Sequence, residues 1–183
     1  GPGGIIEILW SIAVEEQFKI EPTVEYIGEP NTKLMFSSGD ENIATVDENG
    51  KVTARKAGTA YITAASYDNP MIKKTCRVVV VVKTTGVKLN KTSATVYTDN
   101  KLTLKATITP SDATNKNVTW KSSDKKIATV SSKGVVTGIK PGTVTISCTT
   151  ESGSYVAKCT VKVVKAVKTT SVKFTKTQVT IDD

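Results

Sequence analysis

Apolar and polar residues alternate with a period of two along much of the chain. Leu102, Leu104, Ala106 and Ile108 alternate with Thr103, Lys105 and Thr107. Val144, Ile146 and Cys148 alternate with Thr145 and Ser147, and Cys159, Val161 and Val163 with Thr160 and Lys162. Each run puts its apolar side chains on one face, which predicts antiparallel strands with one wet side. Runs of this kind recur about every 8–12 residues, separated by Gly, Asn, Asp and Pro, and that spacing predicts a sandwich of two sheets.

The pattern is itself repeated. Residues 36–63 read FSSGDENIATVDENGKVTARKAGTAYIT and residues 120–147 read WKSSDKKIATVSSKGVVTGIKPGTVTIS. Thirteen of these 28 positions are identical without a gap, against about 2 expected by chance, so the chain holds a true internal repeat. A second self-match, Thr84–Thr92 against Thr169–Thr177 at an offset of 85, marks where repeats open. The reading is residues 1–4 (Gly-Pro-Gly-Gly) as a cleavage scar from recombinant expression, a first domain over 5–83, a second over 84–167, and the first strand of a third over 168–183. About 80 residues per unit suits seven short strands.

Composition narrows the class. Val, Ile and Thr supply 23, 14 and 29 of the 183 residues, against 5 Leu and 2 Met. That balance favours pleated strands over long helices. Histidine is absent, which removes the commonest general base and imidazole metal ligand. Three cysteines are too few for a four-thiolate zinc site. No enzyme, no cofactor and no metal centre is expected. No stretch reaches the ~20 apolar residues that span a bilayer as a helix, so direct membrane insertion is not expected.

The net charge of +8 is uneven: residues 1–83 carry 9 Lys/Arg and 11 Asp/Glu, residues 84–167 carry 13 and 4, and residues 168–183 carry 3 and 2. The basic charge belongs to the second repeat. Aromatic residues are only 5% of the chain, too sparse for a base-stacking platform, and nucleic acid is not an expected partner.

Val87-Lys88-Leu89-Asn90, Val118–Asp124, Ile127-Ala128-Thr129-Val130, Gly134–Gly138 and Lys140–Ile146 carry a resemblance. The chain resembles the group 2 bacterial immunoglobulin-like domain, found in tandem on bacterial surface proteins, including adhesins of the intimin and invasin type. The likeness covers 84–165 nearly completely and 36–82 well; residues 5–35 depart from it, most visibly at Trp10 and Glu15-Glu16-Gln17. It implies an all-β fold of tandem immunoglobulin-like β-sandwiches, displayed outside the cell on a bacterial surface or wall, with signal and anchor outside this fragment.

Within that frame, Phe36 and Trp120 occupy one repeat position. A large ring kept while its indole N–H is lost reads as core filler. Asp47-Glu48-Asn49-Gly50 has the oxygens of a cation loop, but Ser131-Ser132-Lys133-Gly134 keeps only the glycine, so Gly50 and Gly134 read as hairpin-turn residues. Gly58 and Gly142 read as turn residues before the next strand. Asp40 and Asp124 read as acceptors of backbone N–H groups in turns. Cys148 and Cys159 fall on core-facing positions of neighbouring strands; a disulfide between them and two buried thiols both stay open, the thiols favoured because Cys76 matches Cys159 while Ala64 matches Cys148.

The function expected is that of a non-enzymatic extracellular spacer which displays or supports adhesion. The alternatives are an adhesin domain binding a host glycan or protein receptor, or a decoration domain of a phage tail or large secreted enzyme. Residues 169–183 add a partner: Val172, Phe174, Val179 and Ile181 form an orphan strand. It is expected to pair head-to-tail with a sheet edge of a neighbouring molecule, where that molecule's divergent opening strand (Ile5–Trp10) leaves room.

Overall fold

The computed structural model describes residues 9–28, 31–175 and 178–181. The scar at 1–4 and the Ile5–Ile8 part of the expected opening strand lie outside these. The first repeat contains β1 (Leu9–Ala13), β2 (Gln17–Lys19), β3 (Leu34–Ser38), β4 (Ala44–Val46), β5 (Lys51–Ala54), β6 (Gly58–Ser66) and β7 (Lys73–Val81). The second contains β8 (Gly86–Leu89), β9 (Ser93–Tyr97), β10 (Lys101–Thr103), β11 (Ala106–Thr109), β12 (Val118–Ser122), β13 (Ala128–Val130), β14 (Val135–Gly138), β15 (Gly142–Thr150) and β16 (Val156–Val164). No helix occurs among the described residues. The fold is all-β, two immunoglobulin-like sandwiches in tandem.

In the first repeat a sheet ordered β1-β7-β6-β3 faces a sheet ordered β2-β5-β4. Ile12, Ala60, Ile62, Val78 and Val80 from one and Ala44, Val52 and Ala54 from the other make a single buried cluster. In the second repeat β12-β15-β16-β9 and β10-β14-β13 repeat this plan, and a ribbon of β11 and β8 is added. Val96, Leu104, Val136, Val144, Ile146 and Val161 lead its core. Burial alternates along β15 and β16 as the period-two pattern requires.

Two features depart from the sequence reading. The ladders are not all antiparallel: β1 runs parallel to β7, with Ile12 opposite Val80, and β9 runs parallel to β16, with Val96 opposite Val163. Alternation reports which face a side chain takes, and says nothing about strand direction. The second repeat also has nine strands rather than seven. Its opening segment splits into β8 and β9, and the run 102–108 splits into β10 and β11, with Leu104 and Lys105 in neither.

By compactness the chain divides into one unit of residues 1–88, 107–119 and 149–156 and a second of 89–106, 120–148 and 157–183. Inside the first unit, the segment joining the repeats is tied down. Val82 and Thr114 exchange bonds, the Val82 N–H donating to Thr114 Oγ1 (2.8 Å) and the Thr114 N–H to the Val82 carbonyl (3.0 Å). The Thr85 N–H donates to the Thr109 carbonyl at 2.7 Å, and the buried Thr84 hydroxyl to the Asn115 carbonyl at 2.9 Å.

Candidate functional site

The turn residues are occupied by the backbone around them. Asp47 Oδ1 accepts the N–H groups of Asn49 (2.9 Å) and Lys51 (2.8 Å). In the second repeat Ser131 Oγ accepts those of Lys133 (3.2 Å) and Val135 (3.1 Å). One oxygen per turn is enough, so a serine replaces the aspartate. Gly50 (φ 83°) and Gly134 (φ 78°) close these turns. A Cβ there would also lie 2.8 Å from the Ile20 carbonyl or 2.4 Å from that of Leu104. Asp40 and Asp124 accept the N–H groups of Asn42 (3.0 Å) and Lys126 (2.9 Å).

Gly58 (φ 149°) and Gly142 (φ 156°) combine a positive φ with a close approach. Each is the first residue of a strand, and a Cβ would press within 2.7 Å of Ile43 Cδ1 or 2.8 Å of Ile127 Cδ1. They are close-approach glycines under an isoleucine. Ser38 and Ser122 were visible only as repeated letters. Their hydroxyls donate to the Ala44 (2.6 Å) and Ala128 (2.7 Å) carbonyls, joining the end of one strand to the next.

Cys148 and Cys159 are fully buried thiols with no disulfide between them. The Thr150 N–H donates to the Tyr155 carbonyl at 2.8 Å. Counting back from that pair sets Cys159 opposite Ile146, as Cys76 lies opposite Ile62. Cys148 then faces Ala157, and the two cysteines are diagonal neighbours. A diagonal spacing of about 7–8 Å is too wide for a bridge. Burial pushes both thiols above their ordinary pKa.

The two rings differ. Trp120 is half-buried and packs against the second core. Phe36 is half-buried too, but its ring walls a cavity of about 420 Å³ lined also by Ile20, Pro22, Ile62, Ala64 and Cys76. Core filler describes Trp120 better than Phe36. The cavity lining is mainly apolar, with Lys19, Glu21 and Lys74 at the same site.

Two acidic residues hold loops in place, Glu16 at the inter-repeat segment and Glu151 at residues 115–117. Lys83 Nζ lies 2.6 Å from Glu16 Oε1. Glu151 Oε2 accepts both the Asn115 and the Asn117 side-chain amides at 2.9 Å. The Lys83 bond holds the Glu16 carboxyl below the usual carboxylate range. The Asn117 and Asn115 bonds do the same for Glu151. Among the described residues no cluster of three or more Cys, Asp or Glu could hold a metal ion.

The family described as bacterial Ig-like domain (group 2) matches residues 11–76 and 83–161. The chain belongs to this family. Its two bacterial Ig-like repeats are 38% identical over 132 residues to an Ig-like virion protein of Serratia phage KSP90, covering 70% of this chain and 51% of that protein. They are 49% identical over 84 residues to an alpha-L-arabinofuranosidase of Bifidobacterium longum subsp. longum, covering 46% of this chain and 8% of the enzyme. Among solved structures, domains 1–6 of the surface layer protein SbsC give a TM-score of 0.43 at 25% identity, covering 76% of this chain and 21% of that one. The chain thus spans from 8% to about half the length of these two sequence relatives. In the bacterial Ig-like repeats, the serine and aspartate pairs Ser38/Ser122 and Asp40/Asp124 serve carbonyls and turns of the fold itself.

Proposed function

We propose that the chain is a non-enzymatic extracellular spacer of a bacterial cell-surface protein, supporting the display of other domains. One observation carries this: the residues kept between the repeats, Ser38/Ser122, Asp40/Asp124, Gly50/Gly134 and Gly58/Gly142, are engaged in folding contacts. The virion protein and the arabinofuranosidase support it, because the same module accompanies unrelated activities. The bonds of Val82–Thr85 to Thr109–Asn115 suit a spacer, since they restrain the inter-repeat segment. The chain, placed between a surface anchor and an epitope tag on a bacterial cell, is expected to expose the tag to antibody. The isolated chain is expected to hydrolyse no glycoside and to bind no glycan saturably. Hydrolysis or saturable binding overturns the reading.

A second reading, an adhesin domain contacting a host glycan or protein receptor, draws on Lys116, Lys121, Lys125, Lys126 and Lys133. All five are exposed, and none joins an ion pair among the described residues. Neutralising them would then abolish attachment to polyanions with a steep salt dependence. Under the spacer reading it changes nothing.

A further inference from the structure

Each repeat carries an exposed apolar patch at one of its ends. In the first repeat, the hairpin between β6 and β7 meets the loop that leads into β3. The Asn31 side-chain amide donates to Asp68 Oδ1 (3.4 Å), and the Tyr67 N–H donates to the Lys33 carbonyl (2.9 Å). Here Ile27 is fully exposed and Met71 86% exposed, and Tyr26, Tyr67 and Ile72 are exposed as well. Single exposed apolar residues are ordinary, but five on two adjoining segments make a patch of the kind that marks an interaction site.

The second repeat shows what this end of the module can do. Its matching turn, Asn115 bonded to Glu151, lies beside the residues that bind Val82–Thr85. At the positions of Tyr26, Ile27, Tyr67 and Met71 it has Pro110, Ser111, Glu151 and Ser154, while Ile72 keeps a large counterpart in Tyr155. The occupied end is thus mostly small and polar, and the exposed end large and apolar. The second patch lies where β9 and β16 run out together. The Thr98 N–H donates to the Val164 carbonyl, the Ala166 N–H to Thr98 Oγ1 and the Asp99 N–H to the Gly138 carbonyl. These bonds gather Tyr97, Ile139 and Val167, all exposed, Val167 to 92%. The first repeat has the buried Ala13 and Arg55 in the places of Tyr97 and Ile139.

We propose that these two patches bind each other between copies of this chain. The Tyr97, Ile139 and Val167 end of one copy seats on the loop-and-hairpin end of the next. Each patch is exposed within its own copy, so the contact forms between copies. It repeats, in apolar form, the use that the second repeat makes of its own matching end. Among the described residues, Glu25, Lys33, Asp68, Lys73 and Lys74 adjoin the first patch, and Asp99, Lys140, Lys165 and Lys168 the second. Both sets carry more lysine than carboxylate, so charge does not favour the contact and apolar burial carries it. Two different surfaces meet, which links copies into open chains rather than closing a dimer. The contact stands apart from the spacer reading, and either can fail without the other.

Sedimentation of the 183-residue chain over a wide concentration range tests it. The wild type is expected to grow in mass past the dimer, and added salt, which screens charge alone, is expected not to reverse the growth. Ile27→Asp/Met71→Asp and Ile139→Asp/Val167→Asp, one variant for each patch, are each expected to be monomeric. Their equimolar mixture is expected to form a dimer of one copy of each and to stop there, because each variant keeps the patch that the other has lost. That dimer reads docking rather than folding. A melting curve checks both variants, and Val167→Asp alone replaces the second if Ile139→Asp does not fold. Val172→Asp/Phe174→Asp, which alters exposed tail residues outside both patches, is expected to associate like the wild type. A wild type that stays monomeric or stops at a dimer, association that salt reverses or that survives either patch variant, a mixture that stays monomeric, or association lost in the tail variant would each overturn the proposal.

Discussion

Ser122 shows how much one side chain can hold. Its hydroxyl is buried and donates to the Ala128 carbonyl at 2.7 Å, closing the path from β12 to β13. Removing a partner strands a buried polar group at a cost of about 1–3 kcal/mol. Ser122→Ala is expected to lose that much, read by urea denaturation. The rings give a second comparison. Trp120→Ala is expected to cost about 3 kcal/mol, the lower end for a large ring, and Phe36→Ala about 1–2 kcal/mol because its ring already faces a cavity. Equal losses would show that the cavity is closed in solution. The sequence comparison marked Ser38 and Ser122 as shared letters, but the acceptor six residues on carries no side-chain signal. Aspartates and glycines were readable because turns favour them for known reasons, oxygen acceptors in one case and positive φ in the other.

At the level of strands, alternation located the faces of β15 and β16, and the structure buries those residues. It could not show that β1 and β9 run parallel to their partners, nor that residues 101–109 serve two sheets. The hydrogen bonds on the inter-repeat segment were also invisible, because Thr, Asn and Glu in loops are common for many reasons. The bonds of Glu151 to the 115–117 loop make a clear pH prediction. Glu151 has its pKa lowered by accepting bonds from Asn117 and Asn115. The folded state therefore favours the ionised form, and the contribution is complete above the ordinary carboxylate pKa. It is lost as pH falls through the lowered, folded value. The side-chain amide signals of Asn115 and Asn117 are expected to shift together in that acid range. In Glu151→Gln they should not titrate. The Glu151 carboxylate is solvent-exposed, so the effect is local order rather than global stability.

For the whole chain, the two-repeat plan was legible from self-alignment alone, since 13 of 28 matched positions leave few other readings. The cavity was not. Ile20, Ala64 and Cys76 are small or apolar like Leu104, Cys148 and Cys159, so letters alone suggest two equally sealed cores. What differs is their burial, which is partial for Ile20, Ala64 and Cys76 and complete for Leu104, Cys148 and Cys159.

That unequal burial turns the three thiols into a clock with two hands. Cys76 is partly exposed, whereas Cys148 and Cys159 have no accessible surface. Burial also pushes all three pKa values up, so each alkylates slowly near neutral pH. Exposed thiolate is the form that reacts. Mass spectrometry of the native chain treated with iodoacetamide is expected to show one adduct early, on Cys76. Two more should follow at the rate at which the second repeat opens. Three adducts gained together would mean that both cores open as one.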